Sequence, residues 1–533
     1  MEALHDPYLF DTPISNVAVI GAGPSGLAAA KSLLEQGFDI QLFERNTKVG
    51  GNWVFSQPAQ SKLYIPSMTD QHDAWLEKNK TEVGSGSGNQ LPSFLHSLSP
   101  VKCTKEVEYW LNNHHHPSTA CYQNLTTNTA TPILGSFDFP WPKDSPYFVS
   151  HTDVQNYLQN YATHFGLDKF THLNTSLDNV EKKGTKWELT LTEAKKDASG
   201  EYVSIKQYKS TFDAVVIATG QFQDPSIPPL EGLKEFNTLF PGKITHSKQF
   251  RQADDFKNKN VLVIGGRVSA VDVARIVSTK AKQVYISYRG PFETKIGILD
   301  LIRSVIPDNV IHKPGVEGFW CKDPKSGNTL VDGTITFKDG TTVNDIDAIV
   351  FATGYQMKHS YFGSARTLTT DTENGSSLFT CKNDTDEPLV VMDKSKVHNT
   401  YKDIFLISDP TLAFAGAPRH VTITPFFEYQ AQTIARVWLQ QAQLPSQEKM
   451  KTFSLQRTQV CPVYQMDHES ERLRCQILLP WLNLHAHKLV PDLNLPTLDG
   501  PADSLEPIWS DSAAAWLLFI KKQQEAMKSE GQE

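Results

Sequence analysis

Two glycine-rich strand-to-helix junctions, about 240 residues apart, constrain this 533-residue chain more than any other feature. The first lies in VAVIGAGPSGLAAAKSLLEQGFDIQLFER, from Val17 to Arg45. Val17 to Ile20 is a short apolar run that suits a buried parallel strand, Ser25 to Gln36 is helix-periodic until Gly37 ends it, and Ile40 to Phe43 is a second strand. Gly21, Gly23 and Gly26 sit at the junction, with Pro24 and Ser25 opening the helix. Lacking a Cβ, these glycines permit the tight turn, let backbone N–H groups approach a pyrophosphate and let helix pack on strand, while the helix N-terminus faces the negative charge. Glu44 closes the second strand, ahead of Arg45, where a carboxylate accepts a hydrogen bond from a ribose hydroxyl and repels a 2'-phosphate. This unit predicts a dinucleotide with a free ribose.

The second junction lies in VLVIGGRVSAVDVARIVSTKAKQVYISYRG, from Val261 to Gly290, with the same order of elements and with Val284 to Tyr288 as its second strand. Gly265 keeps the turn, Arg267 takes the close-approach position, Ser269 opens the helix and Ala270 takes the helix-packing place. Arg289 stands where the first unit has its acid, so a guanidinium is offered to a 2'-phosphate, with the Ser287 hydroxyl nearby to assist, and the site favours NADPH over NADH. Arg267 must swing its side chain outward and there reaches for the pyrophosphate. The plainer reading of Arg289 is a solvated strand-end cation.

Composition narrows the class. With 39% hydrophobic and 21% charged residues the chain reads as a large globular enzyme of two to four domains. A net charge of −8 without a basic stripe argues against nucleic acid as a partner. Cys103, Cys121, Cys321, Cys381, Cys461 and Cys475 form no CxxC pair, which reads as reduced cytoplasmic thiols and removes the dithiol of a thioredoxin-reductase-like flavoenzyme. No signal peptide or transmembrane segment is expected: the late apolar run Ala513 to Ile520 is too short to span, and with Lys521 and Lys522 behind it either lies on a membrane surface or docks on the protein itself.

Two further segments repeat. DAVVIATGQF, Asp213 to Phe222, and DAIVFATGYQ, Asp347 to Gln356, are both apolar strands ending in Ala-Thr-Gly, so Thr219, Gly220, Thr353 and Gly354 join the expected nucleotide sites. Such strands mark crossings between units. The expectation is an α/β, two-dinucleotide-binding Rossmann-like flavoprotein with residues 221–349 as an NADPH-binding insert between 1–220 and 350–533 of a discontinuous FAD domain. VGSGSGNQ, Val83 to Gln90, reads as a flexible polar loop. His114, His115 and His116 diverge on any backbone and have no partner spaced to complete a metal site, so no metal is expected.

The chain resembles the flavin-containing monooxygenases. FPGKITHSKQF supplies Phe240, Gly242, His246 and Phe250, matching the family pattern FxGxxxHxxx(Y/F); the related Baeyer–Villiger enzymes usually end that pattern in tryptophan, so Phe250 favours the heteroatom-oxygenating branch. The likeness runs from about Val17 to Trp438 and includes GGNW, in which Gly50 and Gly51 let the chain pass close to the flavin with Asn52 and Trp53 beside it. TPFFEYQAQ, Thr424 to Gln432, is similar to the segment PFPxxExQ that approaches the flavin ring, which would place Phe426, Glu428 and Gln430 there; the alternative is a helix start with an interior polar face.

The resemblance implies a mechanism. NADPH reduces FAD, dioxygen adds at flavin C4a, and a soft nitrogen or sulfur nucleophile attacks the resulting hydroperoxide, with the protein supplying a dry pocket and hydrogen-bond donors. YQNLTTN, Tyr122 to Asn128, is similar to YxSxxTN, whose asparagine faces the flavin; here that is Asn128, preceded by Thr127, with Asn124 where the family has serine and with FDFPWP, Phe137 to Pro142, following. His246, in the connector, reads as an anchor of the domains around NADP+ rather than as a base, and Asp272 as structural. Three functions stay open: an N- or S-oxygenase of small amines, thiols or sulfides; a Baeyer–Villiger, N-hydroxylating or peroxide-releasing enzyme on the same fold; and a flavin-binding protein without catalysis. Substrate identity and oligomeric state are not legible.

Overall fold

The computed structural model describes residues 7–56, 95, 100–292, 297–323, 325–362, 367–369, 390–392, 396–417, 423–460 and 515–526. The first glycine segment forms the strand Asn16–Ile20, the helix Pro24–Glu35 and the strand Asp39–Phe43. The two strands run parallel, with Val19 opposite Leu42 on one side and opposite Val216 of the strand Ala214–Ile217 on the other. Both faces of this sheet are covered, which is why its central strands are nearly unbroken runs of Val, Ile and Ala. In full the sheet has seven strands, in the order Thr400–Tyr401, Phe405–Leu406, Leu412–Phe414, Ala214–Ile217, Asn16–Ile20, Asp39–Phe43 and Thr171–His172.

The second segment repeats the unit as Asn260–Ile264, Val268–Val277 and Gln283–Ser287. It lies in a separate, wholly parallel five-stranded sheet ordered Ile244–His246, Ala348–Phe351, Asn260–Ile264, Gln283–Ser287 and Val310–Lys313. Every strand of this sheet falls between two strands of the seven-stranded one in sequence. The chain passages between the sheets lie side by side: Pro225 faces Tyr355 and Asp224 faces Gln356 in a short antiparallel ribbon.

The two repeated segments do the same work in their sheets. Asp213 accepts the Ser15 and Asn16 N–H groups at 3.0 and 2.9 Å, and Asp347 accepts the Asn260 N–H at 2.8 Å, so each aspartate ties down the start of the glycine-bearing strand. At the other end Ala218 N–H donates to Ile20 and Ala352 N–H to Ile264, both at 2.8 Å.

Two layers cover the seven-stranded sheet. An antiparallel sheet of Val101–Lys102, Tyr202–Phe212, Lys186–Lys196 and Thr175–Lys183 packs Trp187, Leu189 and Leu191 against Phe43, Ile217 and Phe414. On the opposite face the small residues Ala28 to Ala30 of the first Rossmann helix share a core with Ala431, Ile434 and Ala435 of the helix Ile423–Trp438. Residues 515–526 form a helix that docks on the protein, with Trp516 and Ile520 in that core and the Phe519 ring 5.3 Å from Phe148. No helix among the described residues is long and apolar enough to cross a membrane. The expected loop Val83 to Gln90 and the cysteines at 381, 461 and 475 lie outside the described residues.

Candidate functional site

Both Rossmann helices begin without a side-chain cap and without an acidic residue in the first turn, whereas the helix His151–His164 carries a full Ser150–Asp153 capping box. Their leading N–H groups are therefore left for an anion, which the helix dipole also favours. At the first junction Gly21 has φ +100°, and a Cβ on Gly26 would lie 1.7 Å from the Gly21 carbonyl oxygen. Glu44, 5% exposed, accepts the Ala22 N–H at 2.8 Å with one carboxylate oxygen and the Asn46 N–H at 2.8 Å with the other. A buried anion held this way keeps lone pairs for ribose hydroxyls. Arg45 pairs instead with the Gln223 side chain, and burial lowers its affinity for a proton.

The GGNW segment is sewn onto this turn. Gly50 N–H donates to Ala22 at 2.9 Å, and Gly51, at φ +57°, comes so near that its Cβ would lie 2.9 Å from the Gly23 Cα. Ser25 abuts Gly416, whose N–H donates to Gln430 Oε1 at 2.8 Å. The Nε2 of Gln430, a fully buried residue, and the Oδ1 of Asn52 have no partner among the described residues. A donor and an acceptor left open beside a glycine cradle fit a polar, phosphate-bearing group such as FAD. Trp53 packs on the same core, and Phe426, 2% exposed, lies inside it, so Gln430 rather than Phe426 is placed against the turn. Glu428 holds a different position: it accepts from Ser136 Oγ and from Phe137 N–H at 2.9 Å, and burial pushes its carboxyl up to about 6.

At the second junction Gly265 has φ +145°, and Arg267 is exposed, its side chain turned outward. Ser269 is partly buried at the helix start. Arg289 is exposed and makes no ion pair among the described residues, which leaves its guanidinium for a phosphate. Ser287 does not stand with it. Its hydroxyl is fully buried and donates to Pro314 at 2.7 Å, because Ser287 is the last residue of the strand Gln283–Ser287 and Arg289 lies beyond it, on chain that has left the sheet. Arg303, 5% exposed, was not legible in the sequence: its Nε donates to Gly266 at 3.0 Å, its Nη1 to Pro291 at 2.8 Å and Phe292 at 2.6 Å, and it lies 4.8 Å over the Tyr288 ring. It clamps the glycine turn to the segment that follows Arg289.

The Ala-Thr-Gly ends split in role. Thr219 Oγ1 lies 3.0 Å from the Tyr361 hydroxyl, and Gly220, at φ +71°, borders open space. Thr353 donates to Ser226, while the Gly354 carbonyl accepts from Ser226 N–H at 2.9 Å and from His246 Nε2 at 3.0 Å, so this pair holds the ribbon between the sheets rather than facing a ligand. His246 is fully buried, its Nδ1 accepts the Lys248 N–H at 3.1 Å, and burial lowers it to about 4. Both ring nitrogens are occupied in the neutral tautomer, which leaves no site for proton transfer.

Asn128 is exposed, directly after Thr127, whose N–H donates to Val149 at 2.9 Å and whose hydroxyl accepts the Val149 N–H at 3.2 Å. Asn124 has φ +65° in a turn closed by Leu125 N–H to Tyr122, a conformation that asparagine tolerates. Of the histidine run, His115 is buried between Ser176 Oγ and the Asn174 carbonyl, each at 3.0 Å, and burial lowers it to about 3.

Known proteins share this arrangement. The model of flavin-binding monooxygenase-like proteins matches residues 108–293, and that of NAD(P)-binding Rossmann-like domains matches 19–63. The flavin-containing monooxygenase ustF2 of Aspergillus flavus is 30% identical over 478 residues, 88% of this chain and 92% of that one. Flavin-containing monooxygenase iboF of Amanita muscaria is 29% identical over 518 residues, 90% of each chain. The solved S-allyl-L-cysteine S-oxygenase of Allium sativum has the same fold, with a TM-score of 0.63 at 20% identity over 97% of this chain and 98% of that one. With two dinucleotide units and this extent of likeness to a curated member, the chain belongs to the flavin-containing monooxygenase family and is a FAD- and NADPH-dependent monooxygenase.

Proposed function

We propose that the enzyme oxygenates soft nucleophiles, converting an amine nitrogen or a thiol or sulfide sulfur of small molecules to an N-oxide or S-oxide. FAD sits at the first junction, in the unit of residues 1–220 and 350–533, and NADPH at the second, in residues 221–349. The observation that carries the reading is the contrast between the two junctions: buried, hydrogen-bonded Glu44 closes one, and exposed Arg289, without an ion pair among the described residues, closes the other. When bound, FAD reduced by NADPH would activate dioxygen, one atom of which would pass to the substrate while the other leaves as water. The chain's part is to hold both nucleotides by helix N-termini and glycine turns, to anchor the 2'-phosphate at Arg289 and to donate a hydrogen bond toward the reacting oxygen from Asn128. No base on the substrate is needed, in keeping with the fully engaged His246.

The test is oxygen uptake with NADPH in the presence of methyl phenyl sulfide, dimethylaniline or cyclohexanone, with products identified by mass spectrometry. Sulfoxide or N-oxide is expected. Lactone as the main product, or hydrogen peroxide alone with every compound, would overturn the reading. Asn128→Ala should still bind FAD and oxidise NADPH but release peroxide in place of oxygenated product.

A further inference from the structure

Tyr122 belongs by sequence to the segment that ends at Asn128, yet its side chain lies in the core of the other sheet, 5.2 Å from the Phe250 ring and among Val263, Ala270 and Val273. Five residues on, Thr127 is fastened to Val149, and Leu125 accepts the His151 N–H at 2.9 Å. The short stretch 122–128 therefore bridges the two units, and five residues reach at most about 17 Å. The Tyr122 hydroxyl donates to Asp272, one turn into the helix of the second junction. The other Asp272 oxygen accepts Arg275 Nη2 at 2.6 Å; Arg275 is 1% exposed, and its Nη1 donates to Gln523 at 2.8 Å on the helix 515–526. Gln524 Nε2 donates to Val305 at 2.7 Å beside it. Three segments far apart in sequence are thus joined through the Asp272–Arg275 pair. A tyrosine hydroxyl, a carboxylate and a guanidinium at the edge of an apolar core stabilise little over well-packed hydrophobic residues, but they define one relative placement and penalise others.

We propose that Asp272 is a positioning residue: by holding the Tyr122 hydroxyl it couples the NADPH-side helix to the 122–128 segment and keeps Asn128 in place relative to the dinucleotide turn. The coupling rests on the assignment of Asn128 and of NADPH made above. Arg275 keeps the carboxylate aimed, and Gln523 holds Arg275.

Tyr122→Phe removes only the hydroxyl, and Asp272→Asn keeps an acceptor for it while dropping the charge that faces Arg275. In the FAD-loaded full chain without NADPH, amide hydrogen exchange across 122–128 should rise about fivefold in Tyr122→Phe, the loss expected for one hydrogen bond, and less in Asp272→Asn. With NADPH and methyl phenyl sulfide, the share of NADPH oxidised to peroxide should rise in Tyr122→Phe while the anaerobic rate of flavin reduction stays within about twofold. Combining Tyr122→Phe with Asn128→Ala should add nothing to the peroxide share. A folded, FAD-loaded Tyr122→Phe enzyme with unchanged exchange, or peroxide shares that add in the double variant, would overturn the proposal. Unchanged coupling in Asn128→Ala alone would refute the role of Asn128 instead, and exchange at 122–128 would then decide the link by itself.

Discussion

Gly21 lies so close beneath Ala218 that a Cβ on it would sit 2.6 Å from the Ala218 carbonyl oxygen. At φ +100° the backbone is also strained for any other residue, so Gly21→Ala should cost more than the 1–3 kcal/mol or so of backbone strain alone. Gly220, at φ +71°, has nothing within 4 Å, so Gly220→Ala should cost only about 1–2 kcal/mol. Thermal melting and FAD content of the two purified variants check the contrast.

Arg289 offers an exposed guanidinium where Glu44 offers a buried carboxylate. Arg289→Ala should raise the KM for NADPH roughly tenfold or more and leave use of NADH nearly unchanged, since a charged hydrogen bond contributes about 1.5–3 kcal/mol. Steady-state kinetics with both nucleotides is the measurement, and an unaltered NADPH preference would remove Arg289 from the site.

Glu428 fastens the helix Ile423–Trp438 to Ser136 and Phe137. Glu428→Ala leaves a buried hydroxyl and a backbone N–H without their acceptor, a loss of about 3 kcal/mol. Melting should drop accordingly, while flavin reduction in the surviving enzyme keeps its rate in stopped-flow traces.

Burial lowers His246 to about 4, His359 to about 4 and His115 to about 3. A histidine kept neutral by the fold is protonated first in the unfolded chain, so its contribution is complete above about pH 6.5 and is lost as pH falls from there toward 4. Asp178 and Glu428, both pushed up to about 6 by burial, work the other way: their neutral forms favour the fold at low pH, and that contribution fades as pH rises through 6. His246→Gln should therefore melt lower than wild type near neutrality, with the gap narrowing by about pH 5. Melting curves across that range decide it.

Sequence periodicity located the strands and helix of the first Rossmann unit, and the second strand of the other, to within a residue of their ends, because short apolar strands, glycine turns and helix stops are local signals. The same logic failed at Ser287, where proximity to Arg289 in sequence said nothing of which way a strand-end hydroxyl points. The contacts of Arg303, Tyr122 and Gln523 are hidden in the sequence for a related reason. Their partners lie 37, 150 and 248 residues away, and no pattern within a helix or strand announces them. Glu428 shows both sides: the motif singled it out, but its place on the helix faces a neighbouring segment, the bland alternative that the sequence had left open. The antiparallel sheet around Trp187 alternates in sequence, yet it carries no nucleotide motif to mark its place in the fold.

Because the chain leaves and re-enters the seven-stranded sheet through neighbours, with Pro225 opposite Tyr355, the stretch between them behaves as a cassette with adjacent ends. Exchanging such a piece between homologues would cut the chain at one seam, but the partners that reach into it from outside, Tyr122 on Asp272 and Gln523 on Arg275, would have to be matched as well.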